Sequence, residues 1–363
     1  MKNMDALTYA KLGANTIMKK FKPAELPPNH RFHYHQGVFL VGVERIYQIT
    51  KDETYRCYIK EWVDFNIDED GDAPNCVMTE FDDIQPAILL FDLYHTTKDE
   101  RYKKVLDRLY DKIEKWPTNA KGGIWHKYQN KNQMWLDSMY MMGVITSMYA
   151  YEFGEEYLFE KVYTQMKLMK DNMTNPETGL MYHMWDDSKK EKHVDPKTGL
   201  VQVSWGRAIG WFAVAVAEIL EYLPKNHHLR QEFIKAEQDI LNALKQYQDK
   251  KTGLWYQVVD KADDERNWLE TSCSALFTYA MAKSLRLGII DESFQDSMMK
   301  GYHGVLSKTK VQDETLTVTG VCIGTGVGEP EYYYERDTVE NDLHGMGAFL
   351  LMCTEIYKLE NHI

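Results

Sequence analysis

Apolar stretches of helical spacing alternate with stretches that keep one polar face, and the alternation runs the length of the chain. Leu7, Ala10, Leu12, Ile17 and Met18 predict a first helix, which Pro23, Pro27 and Pro28 break. Residues 32–43 lead an apolar helix that closes near Thr50, and a polar-faced helix follows through Phe65. The pair recurs from Phe81-Asp82-Asp83 to about Trp116, and again from Asp137 past Gly154. Tyr55, Tyr102 and Tyr157 mark equivalent points 47 and 55 residues apart. The second half keeps the theme with longer loops. Apolar helices begin at Trp205, Trp268 and Asn341, and polar-faced ones cover about 227–248 and 291–307.

Six apolar helices, starting near residues 34, 82, 137, 205, 269 and 341, each have a polar-faced neighbour. Helices apolar all round belong inside, and those with one polar face belong outside. A repeat of helix, turn, helix with a period near 50 residues therefore predicts an all-α fold, an (α/α)6 barrel of two concentric rings. No linker of disordered composition divides the chain, so one domain is expected over residues 1–363. Three loops repeat a Gly followed by aromatics, at Gly123, Gly179 and Gly253, and predict short extended turns.

Composition narrows the function. With 9 Trp, 24 Tyr and 13 Phe, aromatic residues make up 13% of the chain, which permits a sugar-binding cleft. A net charge of −12 argues against nucleic acid as a partner. The five scattered cysteines contain no CxxC pair and suit free thiols in a reducing compartment. No apolar run approaches the length of a membrane span, and residues 1–21 lack an apolar leader core. A cytoplasmic location follows as the expectation. HExxH, Cys/His clusters, EF-hand loops, GxSxG and phosphate-binding glycine loops are all missing, so neither a metal nor a cofactor is expected.

In such a barrel the inner-helix starts and their preceding loops share one end. They carry Tyr34 and His35, Asp82 and Asp83, Trp135 and Asp137, Trp205 and Arg207, Trp268 and Glu270, Asn341 and His344, with Trp125, His126, Lys127 and His183 in the loops. Rings for stacking, a cation for an acid group and carboxylates for hydroxyls and protons suit a carbohydrate that bears a carboxylate. Taken singly, each residue has a plainer reading. Asp137 suits a helix cap, as does one of Asp82 and Asp83. Arg207 suits a partner for a structural carboxylate, His126 and His183 suit hydrogen-bonded loop residues, and Trp205 and Trp211 suit the core. Their recurrence at one phase of the repeat favours function.

Seven segments together resemble the unsaturated rhamnogalacturonyl hydrolases of glycoside hydrolase family 105. They are His33-Tyr34-His35-Gln36-Gly37-Val38-Phe39, Thr79-Glu80-Phe81-Asp82-Asp83-Ile84, Gly122-Gly123-Ile124-Trp125-His126-Lys127, Gln133-Met134-Trp135-Leu136-Asp137, Trp205-Gly206-Arg207-Ala208-Ile209-Gly210-Trp211, Gly253-Leu254-Trp255-Tyr256-Gln257 and Asn341-Asp342-Leu343-His344-Gly345. The resemblance implies the same barrel and an unsaturated uronyl oligosaccharide as substrate. It implies Asp137 as catalytic acid/base and Asp82 as a second catalytic carboxylate. Tyr34, His126, Trp135, His183, Arg207 and Trp211 match substrate-site residues, and Lys127 joins them as a cation for the uronate. The expected reaction is hydration of the C4–C5 double bond, with protonated Asp137 donating to C4. The alternatives are an unsaturated glucuronyl hydrolase acting on other uronides, a sugar epimerase of the same fold, and a non-catalytic sugar-binding module.

Overall fold

The computed structural model describes residues 4–363; the first three residues of the segment read as lacking a leader lie outside the described residues. Thirteen helices follow in order: α1 (Ala6–Lys20), α2 (Tyr34–Thr50), α3 (Glu53–Asn66), α4 (Leu89–Thr97), α5 (Glu100–Glu114), α6 (Ile145–Phe153), α7 (Tyr157–Met173), α8 (Gly206–Tyr222), α9 (Arg230–Gln246), α10 (Thr271–Arg286), α11 (Gln295–Leu306), α12 (Pro330–Tyr334) and α13 (Leu343–Glu360). The inner ring consists of α2, the segment ending in α4, the segment ending in α6, α8, α10 and α13; each packs on the next, and α13 closes back on α2. The outer ring is α3, α5, α7, α9 and α11, with α1 packed against α13. The fold is the (α/α)6 barrel.

Burial explains the two rings. Along α8, residues 206–220 are all buried, as an inner position requires. In α5, by contrast, only Tyr102, Val105, Leu106, Leu109 and Ile113 are buried, which is a single stripe. The outer helices α3 and α5 begin at Asp52 and Asp99, whose carboxylates accept from the amides of Thr54 and Arg101. Among the described residues, no helix is long and apolar enough to cross a membrane.

Two inner helices start irregularly. The second opens with two 3-10 turns, Phe81–Asp83 and Gln85–Ile88, because Pro86 has no amide proton for a regular first bond. The third opens as a π-helix, Met139–Val144, two residues after Asp137. Neither Asp82, Asp83 nor Asp137 caps a helix through its side chain, contrary to the capping reading.

Short strands bind the loops over the inner-helix starts. Gln133–Trp135 (β1) pairs antiparallel with Met184–Asp186 (β2), which pairs with Leu200–Val201 (β3). Trp255–Tyr256 (β4) pairs with Leu269–Glu270 (β5). The expected extended turns are there: Ile124 bridges Thr118 and Met181 bridges Thr174. Gly179 and Gly253 turn at φ +73° and +77°, which side chains rarely adopt.

Candidate active site

Strand register brings the candidate residues together. Trp135 opposes Met184 in the β1–β2 pair, and the Leu136 amide donates to the His183 carbonyl at 3.2 Å. His183 is thereby fixed beside Asp137, with Nε2 3.4 Å from Oδ2. An isolated bridge between Glu80 and Lys127 does the same for the second inner-helix start. It sets Lys127 Nζ 3.5 Å, and His126 Nε2 3.7 Å, from the Asp82 carboxylate.

The result is a polar cavity of about 300 Å³ at the inner-helix starts. Tyr34, Asp82, His126, Lys127, Trp135, Asp137 and Arg207 all line it. Of the residues named for the site, His183 and Trp211 stand one layer behind. His183 is fully buried, and its Nδ1 meets the Tyr333 hydroxyl at 2.7 Å. Trp211 stacks on Tyr140 with ring centroids 4.9 Å apart and meets the edge of Tyr34; it supports the wall and does not face the cavity. Glu270 is not at the cavity either: its carboxylate accepts from the amides of Ser272, Cys273 and Cys322 and serves as the cap of α10. Asp83 turns away to Arg31, at 2.7 Å, while its neighbour Asp82 lines the cavity.

The two cations differ in what they have left to bind. Lys127 is already held by Glu80 and Asp82. Arg207 donates only to backbone, to the carbonyls of Cys322 (2.9 Å) and Ile323 (2.7 Å), and lies over the Trp205 ring. Among the described residues it pairs with no carboxylate, so the structural-partner reading fails. Its fork can still take one from a ligand.

The carboxyls separate in proton affinity. Burial pushes Asp82 up to about 7; Lys127 opposes this, while the charges of Glu80 and Asp137 add to it. Burial also works on Asp137, but nearby His183 and then His126 outweigh it and hold Asp137 below the usual carboxylate range. Of the two, Asp82 is the one that holds a proton up to about neutral pH, and the surroundings of Asp137 favour its ionised form. Burial pushes His126 down to about 3, so this imidazole is neutral; it stacks on Trp135 and pairs Nδ1 with the Ser138 hydroxyl at 2.9 Å.

Sequence reasoning left several wall residues out of the named site: Arg31, Glu80, Met141 and Gly324-Thr325-Gly326. The glycine-rich run at 324–328 was the available signal for the last of these. Arg207 holds the Ile323 carbonyl just before this run, and Arg336 holds the Gly324 carbonyl within it. Tyr333, behind His183, gave no signal at all.

An (α/α)6 barrel with Asp82 and Asp137, an aromatic wall and the carboxylate-free Arg207 guanidinium in one cavity defines a carbohydrate-processing enzyme. The chain belongs to Glycosyl Hydrolase Family 88, whose description matches residues 9–360, and it is a glycoside hydrolase. It is 32% identical to the solved family 105 glycoside hydrolase of C. acetobutylicum, with a TM-score of 0.91 over 97% of this chain and 99% of that one. It is 29% identical to the unsaturated rhamnogalacturonyl hydrolase YesR of Bacillus subtilis, covering 90% of each chain. An unsaturated 3S-rhamnoglycuronyl hydrolase of Formosa agariphila is 22% identical over 90% of this chain and 84% of its own.

Proposed function

We propose that this chain, as one catalytic domain over residues 1–363, is an unsaturated rhamnogalacturonyl hydrolase acting in the cytoplasm on rhamnogalacturonan oligosaccharides left by polysaccharide lyases. It removes the terminal 4,5-unsaturated galacturonic acid by hydrating its C4–C5 double bond. The observation that carries the reading is a pair of carboxyls of opposite proton affinity, Asp82 and Asp137, on one cavity with a carboxylate-free Arg207. The similarity to YesR supports the substrate class. The five free cysteines support the reducing compartment.

In this reading Arg207 takes the uronate carboxylate, and Trp135 and Tyr34 form the wall for the sugar ring. The proton belongs to the Asp82–Asp137 pair. The bound uronate adds negative charge to the cavity and favours protonation of Asp137; in the complex protonated Asp137 delivers its proton to C4 and becomes a carboxylate. Positive charge develops at C5 and the ring oxygen. Asp137, again a carboxylate, takes a proton from water as its oxygen bonds to C5. The resulting hemiketal opens and releases the neighbouring sugar. His183 orients Asp137, and His126 bridges from Asp82 to Ser138.

The test is a panel of unsaturated uronyl disaccharides, followed by loss of alkene absorbance. Unsaturated galacturonyl-rhamnose is expected to have the highest kcat/KM. A preference for unsaturated glucuronyl-hexosamine from glycosaminoglycans would transfer the enzyme to that substrate class.

A further inference from the structure

His35, Asp342 and His344 converge from the two ends of the chain. Their ligand-capable atoms all lie within 4.8 Å of one another. His344 Nδ1 is 2.8 Å, and His35 Nε2 3.8 Å, from Asp342 Oδ1. Three donors at tetrahedral angles around zinc sit ~3.3 Å apart, given metal–ligand bonds of about 2.0–2.1 Å. The observed separations bracket that value. The donor set, two imidazoles and one carboxylate, suits a divalent transition metal.

A second, independent observation points to a ligand. His344 is fully buried; its Nδ1 lies against Asp342 Oδ1, and its Nε2 has no hydrogen-bond partner among the described residues. A buried ring nitrogen without a partner costs free energy, and such a group calls for an explanation. A metal ion would take Nδ1 and Asp342 Oδ1 together in place of their direct contact. His35 also has the support expected of a ligand: its Nδ1 meets His33 Nδ1 at 3.0 Å, and the two rings stack. His35 stands between the site cavity and a second cavity of about 290 Å³ that Asp342 also lines, which supplies an entry path.

Two other clusters are weaker. His33, Glu80 and Asp82 already hold the Lys127 ammonium between the two carboxylates. Glu160, His227 and His228 lie largely exposed on the surface.

We propose that His35, Asp342 and His344 form a divalent transition-metal site, of zinc class, that staples the first inner helix to the last. His35 is on the first turn of α2, His344 on the first turn of α13, and Asp342 caps α13. The ion would close the ring where the chain's two ends meet. It would act on the barrel's integrity beside the cavity, and the hydration chemistry does not pass through it. The fourth coordination position would be taken by water.

The experiment uses the full chain, stripped with a chelator and dialysed against a low-micromolar excess of Zn²⁺ over protein. Retained metal is counted by elemental analysis, and Co²⁺ loading reports geometry through its visible absorption. One ion per chain, a tetrahedral Co²⁺ spectrum and a raised Tm are expected. His344→Ala and Asp342→Asn should abolish stoichiometric retention, and His33→Ala should weaken binding roughly 10–100-fold as a supporting residue. His228→Ala should leave the stoichiometry at one. Should His344→Ala fail to fold, His35→Gln carries the same comparison. Absence of stoichiometric retention by the wild-type chain, or retention unchanged in the His35, Asp342 and His344 variants, overturns the proposal. Loss of the ion in His228→Ala would do so as well, by moving it to the surface cluster.

Discussion

Asp82 and Asp137 differ because of what each one touches. Asp82 is buried near Glu80 and Asp137, whereas Asp137 has His183 alongside. Replacing either by Asn should lower kcat/KM by about 10²–10⁴-fold, the usual contribution of a positioned acid or base, with the fold retained by circular dichroism. The proposed mechanism needs one proton on the pair. With Asp82 raised to about 7, that proton is present at lower pH and is lost as pH rises through this value, so kcat/KM should fall on the alkaline side of about 7. A profile that stays flat well into the alkaline range would exclude the shared proton. Tyr333 positions His183 through the bond to Nδ1. Tyr333→Phe should lower kcat by roughly 2–10-fold at nearly constant KM, the kinetic worth of one neutral hydrogen bond. Much of this scale was legible. Asp137 stood out as a carboxylate in an apolar run, and Asp82 by its place in the repeat. The proton's position was not, because it depends on His183, which a strand pairing supplies. Tyr333 lies 150 residues from His183 and on no repeated motif.

At the scale of elements, the irregular helix starts put the carboxyls where they are. A regular first turn from Asp137 would offer its side chain to the free amides as a cap. The π-helix after it leaves the carboxylate to His183 and the cavity. Wide turns of this kind occur often at functional sites. Hydrophobic periodicity located the six inner helices to within a few residues, since the buried face dictates it. It could not distinguish α from 3-10 or π turns, because all three bury the same residues. The inner ring also depends on close backbone approach. A Cβ on Gly347 in α13 would lie 2.6 Å from the Val38 carbonyl oxygen of α2. Gly347→Ala should therefore force these helices apart and cost about 1–3 kcal/mol in denaturant unfolding, in the range of overpacked cores.

Across the whole molecule, the barrel's two ends have different tasks. The inner-helix starts hold the polar cavity. Near the opposite ends of the same helices, Arg45 of α2, Glu218 and Glu221 of α8, Lys283 and Arg286 of α10 and Glu355 of α13 form an ionic network whose Glu218, Lys283 and Glu355 are buried. Lys283 is 1% exposed and lies 2.8 Å from Glu218. Lys283→Met should destabilise the protein by about 3–5 kcal/mol, because it removes a buried partner from the buried Glu218 carboxylate. Unfolding should remain cooperative, and activity at temperatures below the transition should be little changed. This network was invisible in the sequence, where its members looked like ordinary charges on helix faces. Only the closure of the ring turns them inward. The barrel itself was legible because its repeat is carried by many residues. The central claim is that the cavity hydrates an alkene by proton delivery to C4, and turnover of unsaturated galacturonyl-rhamnose in D₂O tests it most directly. The account requires one solvent deuterium at C4 of the released sugar acid for each alkene lost, with both events suppressed together in Asp137→Asn. Loss of the glycosidic bond with the alkene intact, or without deuterium at C4, would contradict it.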